Sequence, residues 1–316
     1  MNVGMLIFNI LVFPGVLFIV VVALLLAGLD RKVLAHMQKR VGPPIIQPLY
    51  DFLKLCGKET IIPAAANRLA FIGAPIVSLI ALVFVGLLIP VAGISGFSFH
   101  ADLIVILYLL TIPAVCLIVG GSASGSPFAG VGISREMVAM IGYELPLVVI
   151  FLAVAKKMGM GIWMFSMDEI YLWQQAFGCG AFQWALIPAA LAMLLVIPAE
   201  VGTQPFDVAE AETEICEGPL IEYSGPSLAL FKLSSCVKMF IMSSLFTALF
   251  FGGIDTGMVW LNVIIFVAID ILVTLVCMTL IHGITARLKI EHMFKFYWTV
   301  VAGLAAVSLI LVWIGL

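Results

Sequence analysis

The chain has 316 residues, 64% of them hydrophobic and only 10% charged, with a formal net charge of −3. A mean hydropathy of +1.24 excludes a water-soluble globular domain, whose surface needs far more charge. The small negative balance gives no reason to expect a nucleic-acid partner.

Apolar runs recur near the ~20 residues that cross a ~30 Å hydrocarbon core as helix, and they lack the alternation of barrel strands. The expected fold is therefore an all-α membrane protein, one polytopic domain over 1–316. Eight spans are expected at 5–29, 69–91, 101–121, 135–157, 183–200, 225–252, 260–282 and 297–315. Cytoplasmic connections are expected at 30–68, 122–134, 201–224 and 283–296.

The first span has no basic residues before it and no small-residue cleavage site after it, so it reads as a retained helix. The 30–68 connection carries Arg31, Lys32, Lys39, Arg40, Lys54, Lys58 and Arg68. Lys32, His36 and Arg40 share helical spacing until Gly42-Pro43-Pro44 stops the turn. Residues 48–59 put Leu49, Phe52, Leu53 and Cys56 on one face and Asp51, Lys54 and Lys58 largely on the other. That pattern is an amphipathic helix lying on the membrane or roofing something beneath it.

The 120–134 stretch, GGSASGSPFAGVGIS, lacks the order of a phosphate loop and reads as a flexible or closely packed turn. In the next span Glu136 and Glu144 lie within ~80° of each other around the helix. Pro146 follows Glu144 and should kink the backbone there. Ser166 opens a capping-box pattern for a surface helix whose Ile170, Trp173 and Phe177 should face lipid.

Glu200, Asp207, Glu210, Glu212, Glu214, Glu217 and Glu222 then crowd one connection with no Lys, Arg or His among them. These seven of 18 acids alternate with Phe206, Val208, Ala211 and Ile215. Like charges so close cannot all ionise freely, and such a group can load and release protons. Lys238 lies deep in the sixth span and needs a carboxylate; Asp270 in the seventh and Glu144 both qualify. Intramembrane ionisable groups of this kind are functional candidates by default.

Lys and Arg cluster in the odd-numbered connections, with Arg135, Arg287, Lys289 and Lys295 joining those of 30–68, whereas Lys156 and Lys157 stand alone opposite. Positive-inside bias places both termini outside and the functional loops in the cytoplasm of a cell (inner) membrane. Six scattered cysteines show no CxxC spacing, so no iron–sulfur or zinc site, and no bound cofactor, is expected in this chain. No internal repeat argues for a transporter built from inverted halves.

Three segments carry a family resemblance: 31–63 with RxGPxxxxP followed by LKLxxKE, 134–146 with SREMVAMIGYELP, and 199–226 with PFDxxEAExE and EYSG. Together they resemble the membrane-anchor subunit shared by respiratory complex I, where it is also known as NADH dehydrogenase subunit 1, and energy-converting nickel-iron hydrogenases. The GPP-type sequence, Thr203 where the complex I pattern usually has Arg, and Ser235 where it has Glu place the chain nearer the hydrogenase branch. The resemblance implies a non-catalytic subunit of an oxidoreductase complex, coupling ferredoxin-dependent hydrogen evolution to H⁺ or Na⁺ translocation. The alternative it leaves open is the quinone-site subunit of a complex I-type NAD(P)H or ferredoxin dehydrogenase.

By the matched motifs, the ion path would run through Glu144, Glu136, Glu200, Asp207, Glu210, Glu212 and Glu214, with Lys238 and Asp270 further in. Arg31, Lys32, Lys39, Arg40, Asp51 and Lys54 would dock the peripheral arm. The implied partners are hydrogenase large and small subunits, an iron–sulfur subunit and an antiporter-like membrane subunit, besides the bilayer. Nickel-iron and iron–sulfur centres would belong to those partners.

Overall fold

The computed structural model describes residues 8–159 and 163–315, with Glu212 described in its backbone alone. Among the described residues the chain is all-α, its only extended pairing being an isolated bridge between Val91 and Ile94. Among the described residues, seven helices are long and apolar enough to cross a membrane. They are α1 (Val16–Met37), α3 (Arg68–Leu88), α4 (Asp102–Ser124), α5 (Pro127–Met158), α8 (Gly225–Phe251), α9 (Val259–Ile284) and α10 (Ile290–Ile314). Between them lie the amphipathic α2 (Gln47–Cys56), the short α6 (Met167–Phe177) and the apolar α7 (Ile187–Val201).

Helix α8 is the axis of the bundle. Every residue from Val237 to Phe250 is buried, with α1, α3, α7 and α9 packed around it and α2 against its start. Lys238, Ser243 and Ser244 are thus surrounded by protein, which is how polar groups survive within a membrane-spanning helix. Helices α5, α7 and α10 pack together beside it, and α3 pairs with α4.

Helix α7 has 15 residues, about 22 Å of axis, which is shorter than the ~30 Å hydrocarbon core. Gly202 closes it in the left-handed conformation (φ 78°), as a C-terminal glycine does. A helix that stops early carries its last residues, Glu200 among them, into the bundle. Non-helical backbone at such depth is tolerated only where it is buried in protein or lines a hydrated cavity.

Several boundaries differ from those the sequence suggests. Helix α1 runs through Met37, so Lys32 and His36 extend a spanning helix, whereas Arg40 lies past its end, beyond Lys39 at φ 56°. The expected 122–134 connection shrinks to Gly125 and Ser126. Gly125 at φ 71° ends α4, and Pro127 at the first position of α5 starts the next helix, where a missing N–H costs nothing. Glu136 consequently sits in the third turn of α5 rather than at its N-terminus. The 283–296 connection is likewise shorter, because α10 begins at Ile290. Helix α5 continues through Pro146 to Met158.

Three glycines of 120–132, Gly120, Gly121 and Gly132, are packing residues. A Cβ on Gly132 would lie 2.5 Å from Cδ of Pro219, and one on Gly120 would lie 2.4 Å from the Tyr223 hydroxyl. They let the acidic connection seat directly against α4 and α5.

Two π-helical segments interrupt the last spans, Leu275–Leu280 in α9 and Tyr297–Val301 in α10. Each carries a polar side chain that hydrogen-bonds to another helix, and such bulges are frequent at functional sites. The Thr279 hydroxyl donates to Asp30 (2.6 Å) and the Tyr297 hydroxyl to the Leu195 carbonyl (2.8 Å).

Helix α6 begins after Ser166 as expected, although the serine forms no side-chain cap. Asp102 takes that role instead, accepting from the backbone N–H groups of Met167 (3.1 Å) and Phe99 (2.8 Å). Ile170, expected to face outward, is buried, while Phe177 is exposed. Helix α2 also departs from the expected face. Its Pro48, Asp51, Phe52 and Leu55 line a cavity, and Leu49, Tyr50 and Leu53 remain exposed.

Candidate functional site

The acidic connection is held by residues from every neighbouring segment at its end of the bundle. Arg287, between α9 and α10, pairs with Asp207 (2.9 Å) and donates to Thr213 Oγ1 (2.9 Å). Arg135, on α5, pairs with Glu214 (2.6 Å) and reaches the Val208 carbonyl (3.4 Å). Phe206, Val208, Ala211 and Ile215, the apolar residues that alternate with the acids, are all buried. The connection therefore folds with its apolar side inward.

Its C-terminal end is tied to the segment before α3. The Ile61 N–H donates to Ser224 Oγ (3.0 Å), the Tyr223 hydroxyl donates to the Phe71 carbonyl (3.1 Å), and the Tyr223 and Phe71 rings stack at 4.0 Å. Gly225, at φ 58°, admits the Glu59 carbonyl, which would lie 2.5 Å from an added Cβ. The KE and EYSG motifs are thus one contact in space.

Beneath this lid, Lys238 of α8 and Glu200 of α7 form a buried ion pair, Nζ to Oε1 2.9 Å, with side-chain exposures of 9% and 2%. Neither sequence candidate for Lys238, Asp270 or Glu144, is its partner. Glu144 is half-buried and within electrostatic reach of Glu200 and Lys238. Glu136 and Tyr143 are seven residues apart on α5 and so nearly in line along it. Glu136 is within electrostatic reach of Lys238, Glu200 and Asp207. The Tyr143 hydroxyl is buried with no hydrogen-bond partner among the described residues, and Glu200, Glu136 and Glu144 all act on it electrostatically.

Two adjoining cavities connect Glu136, Glu200 and Lys238 to the acidic connection. A small one of about 70 Å³ is lined by Glu136, Glu200, Lys238, Ser234 and Asp207, among others, and has room for a few waters. A large one of about 720 Å³ lies under α2. They share Gly202, Asp207, Glu210, Leu220 and Ser235 in their walls. Six basic residues (Arg31, Lys54, Lys58, Lys232, His282, Arg287) and five acidic ones (Asp30, Asp51, Asp207, Glu210, Glu217) line the large cavity.

Glu210 stands where the cavities meet. Burial, reinforced by Asp207, Glu136 and Glu217, pushes its carboxyl from an ordinary 4.5 up to about 8. Asp51 goes the other way. Partial burial opposes ionisation, but hydrogen bonds from Gln47 (3.0 Å) and Arg31 (2.9 Å) hold its carboxyl below the usual range.

Of the residues expected in the ion path, the structure brings together Glu136, Glu144, Glu200, Asp207, Glu210 and Lys238. Glu214 faces outward in its pair with Arg135, and the Glu212 side chain lies outside the described residues. Asp270 belongs elsewhere, accepting from Ser244 (2.7 Å) and Thr247 (2.5 Å) between α8 and α9. Of the expected docking residues, Arg31 and Asp51 pair with each other, and Lys39, Arg40 and Lys54 are exposed. The sequence reading missed Tyr143, Arg135 and Arg287. The two arginines had a signal, since seven carboxylates without a cation nearby in sequence must find cations in other segments.

A family model described as NADH dehydrogenase matches residues 9–313. The chain is 37% identical over 233 residues to NADH-ubiquinone oxidoreductase chain 1 of Chondrus crispus, covering 71% of this chain and 69% of that protein. It is 34% identical over 259 residues to the H subunit of the NADH-quinone oxidoreductase of Rubrobacter xylanophilus, covering 79% and 77%. Among solved structures, a chain of the membrane-bound sulfane sulfur reductase, an archaeal respiratory membrane complex, superposes with a TM-score of 0.85. That match has 29% sequence identity and covers 94% of this chain and 96% of that one.

Proposed function

The chain belongs to the NADH dehydrogenase family, the membrane subunits known in complex I as subunit 1, and on that premise we propose that it couples a peripheral redox arm to ion movement. The arm docks on the end bearing the acidic connection, with Arg31, Lys32, Lys39, Arg40, Asp51 and Lys54 at or near the contact. The redox centres, nickel-iron and iron–sulfur, sit in partner chains: a large and a small hydrogenase-type subunit and an iron–sulfur subunit. Ferredoxin is the electron donor and hydrogen the product. An antiporter-like neighbour receives the coupled charge and moves H⁺ or Na⁺.

One observation carries the coupling role. Glu210 and Asp207 stand in the common wall of a large charged cavity and a small one that ends at the Lys238–Glu200 pair. A change of charge in the large cavity alters the protonation of Glu210. That change is felt in turn by Glu136, by the buried pair and by Glu144, because closely spaced carboxylates titrate as a group. Tyr143 lies among Glu136, Glu144 and Glu200 and supplies a hydroxyl that can both give and take a proton.

The walls of the large cavity favour the hydrogenase branch. Eleven of its 24 lining residues are acidic or basic, whereas an isoprenoid quinone needs a predominantly apolar pocket. A second reading, the quinone-site subunit of a dehydrogenase, is favoured by the printed names of the relatives from Chondrus crispus and Rubrobacter xylanophilus. Purification of the intact complex and mass spectrometry of its large subunit decide between them. Two CxxC pairs able to hold nickel are expected, and a large subunit without them contradicts the hydrogenase assignment. With the arm on the cytoplasmic side, both termini lie outside.

A further inference from the structure

Asp270, another buried acid, has no part in the coupled carboxylates. It is fully buried in α9, and its two carboxylate oxygens accept separately from Ser244 and Thr247 of α8. No ion pair reaches it among the described residues. The charged or titratable side chains on its own helix and on the elements packed against it are Lys232, Cys236 and Lys238 on α8, Cys277 and His282 on α9, Glu200 on α7, and Asp30, Arg31, Lys32 and His36 at the end of α1. Lys238 is six residues from Ser244, about 9 Å along the helix, and is committed to Glu200. An ionised carboxylate in an apolar bundle needs a counter-charge or water. Asp270 has a route to the second.

Thr247 also lines a cavity of about 20 Å³ that extends toward the end of the bundle opposite the acidic connection, with Tyr171, Gly252 and Asn262 in its wall. That volume holds about one water, and the threonine hydroxyl, the tyrosine hydroxyl and the asparagine amide are polar partners for it. Asn262 in turn donates to the exposed Asp255 (2.7 Å) in the connection before α9. The Thr247 hydroxyl has two acceptors, Asp270 Oδ1 at 2.5 Å and the Ser243 carbonyl at 3.1 Å. It can donate to the carboxylate, or turn to the carbonyl and accept a hydrogen bond from the carboxylic acid.

We propose that Asp270 is a proton-binding site, loaded through Thr247 from the membrane face opposite the acidic connection. The ligand is a proton rather than a sodium ion, because the hydroxyl oxygens sit at hydrogen-bond distance from the carboxylate and leave no room between them for a cation. The site requires only that the chain spans the bilayer. Its failure leaves the coupling proposal standing, and failure of that proposal leaves the site standing.

Difference infrared spectroscopy on the intact complex in sidedness-sorted vesicles tests it. The wild type should show a buried protonated-carboxyl band that responds to pH on the face bearing Asp255. Asp270→Asn should delete the band and Asp270→Glu should shift it. Thr247→Val should slow its exchange with deuterium roughly tenfold, about what one hydrogen bond is worth. A band that follows only the pH of the opposite face, or that sodium rather than protons displaces, overturns the proposal. So does a wild type with no carboxyl band that Asp270→Glu shifts.

Discussion

Lys238 and Glu200 show how one side chain sets the requirements of another. Taking both charges out of water is costly, and their mutual attraction offsets that cost only while both remain. Glu200→Gln should therefore destabilise the chain by about 3–5 kcal/mol, seen as a lowered Tm of the detergent-solubilised complex. The double replacement Glu200→Leu with Lys238→Met should recover most of that loss. A double variant as unstable as the single one would show that the pair contributes more than mutual compensation. The sequence established that Lys238 needed a carboxylate but not which one. Glu200 is 38 positions away, and no periodicity connects the end of one helix to the middle of another.

Glu210 makes a pH prediction at the same scale. Its carboxyl is pushed from 4.5 up to about 8 on folding, so the folded state holds a proton that the unfolded chain releases. Its contribution to stability is complete below about pH 4.5, declines as the pH rises and is gone above about 8. Glu210→Gln should flatten that part of the stability profile, measured as Tm against pH. A variant with the same slope as the wild type between those limits would remove Glu210 from the titrating group.

At the scale of elements, the long α5 and the short α7 matter most. The all-α class and seven of the eight expected spans were legible in hydropathy, because ~20-residue apolar runs have one structural solution in a bilayer; the eighth, expected at 183–200, is the shorter α7. The length of α5 was not. Gly and Ser clusters usually mark turns, but here Gly132 and Gly120 are small because Pro219 and Tyr223 press on them. That is a tertiary reason, invisible to any local rule.

Gly132→Ala tests it. Helix propensity alone favours the alanine by about 1 kcal/mol. Its Cβ would meet Cδ of Pro219 at 2.5 Å and the Ala209 carbonyl at 3.0 Å, and overpacking of that kind costs about 1–3 kcal/mol. Because one obstacle is a rigid ring and the other is backbone, a net loss of about 1 kcal/mol is expected. Gly130, with nothing within 4 Å of an added Cβ, serves as the control, and Gly130→Ala should be neutral or stabilising. Equal effects at the two positions would contradict the packing explanation.

Over the whole molecule, charge is divided by depth and by end. The paired arginines Arg31, Arg135 and Arg287 gather at the end that holds the acidic connection. The Lys238–Glu200 pair lies deeper along α8, and Asp270 lies nearer the opposite end. The sequence suggested the acidic group by its density alone, and the family motifs named its members. The cavities that join them were not legible, because they arise from where α7 stops and how α2 roofs the space, both products of packing. The account stands on the claim that these carboxylates carry charge between the redox arm and the membrane. Its most direct test is simultaneous measurement of dye-linked redox turnover and ion uptake in vesicles containing the whole complex with Glu136→Gln or Glu144→Gln. Unchanged turnover with ion uptake abolished is the predicted result; full ion uptake in both variants would contradict it.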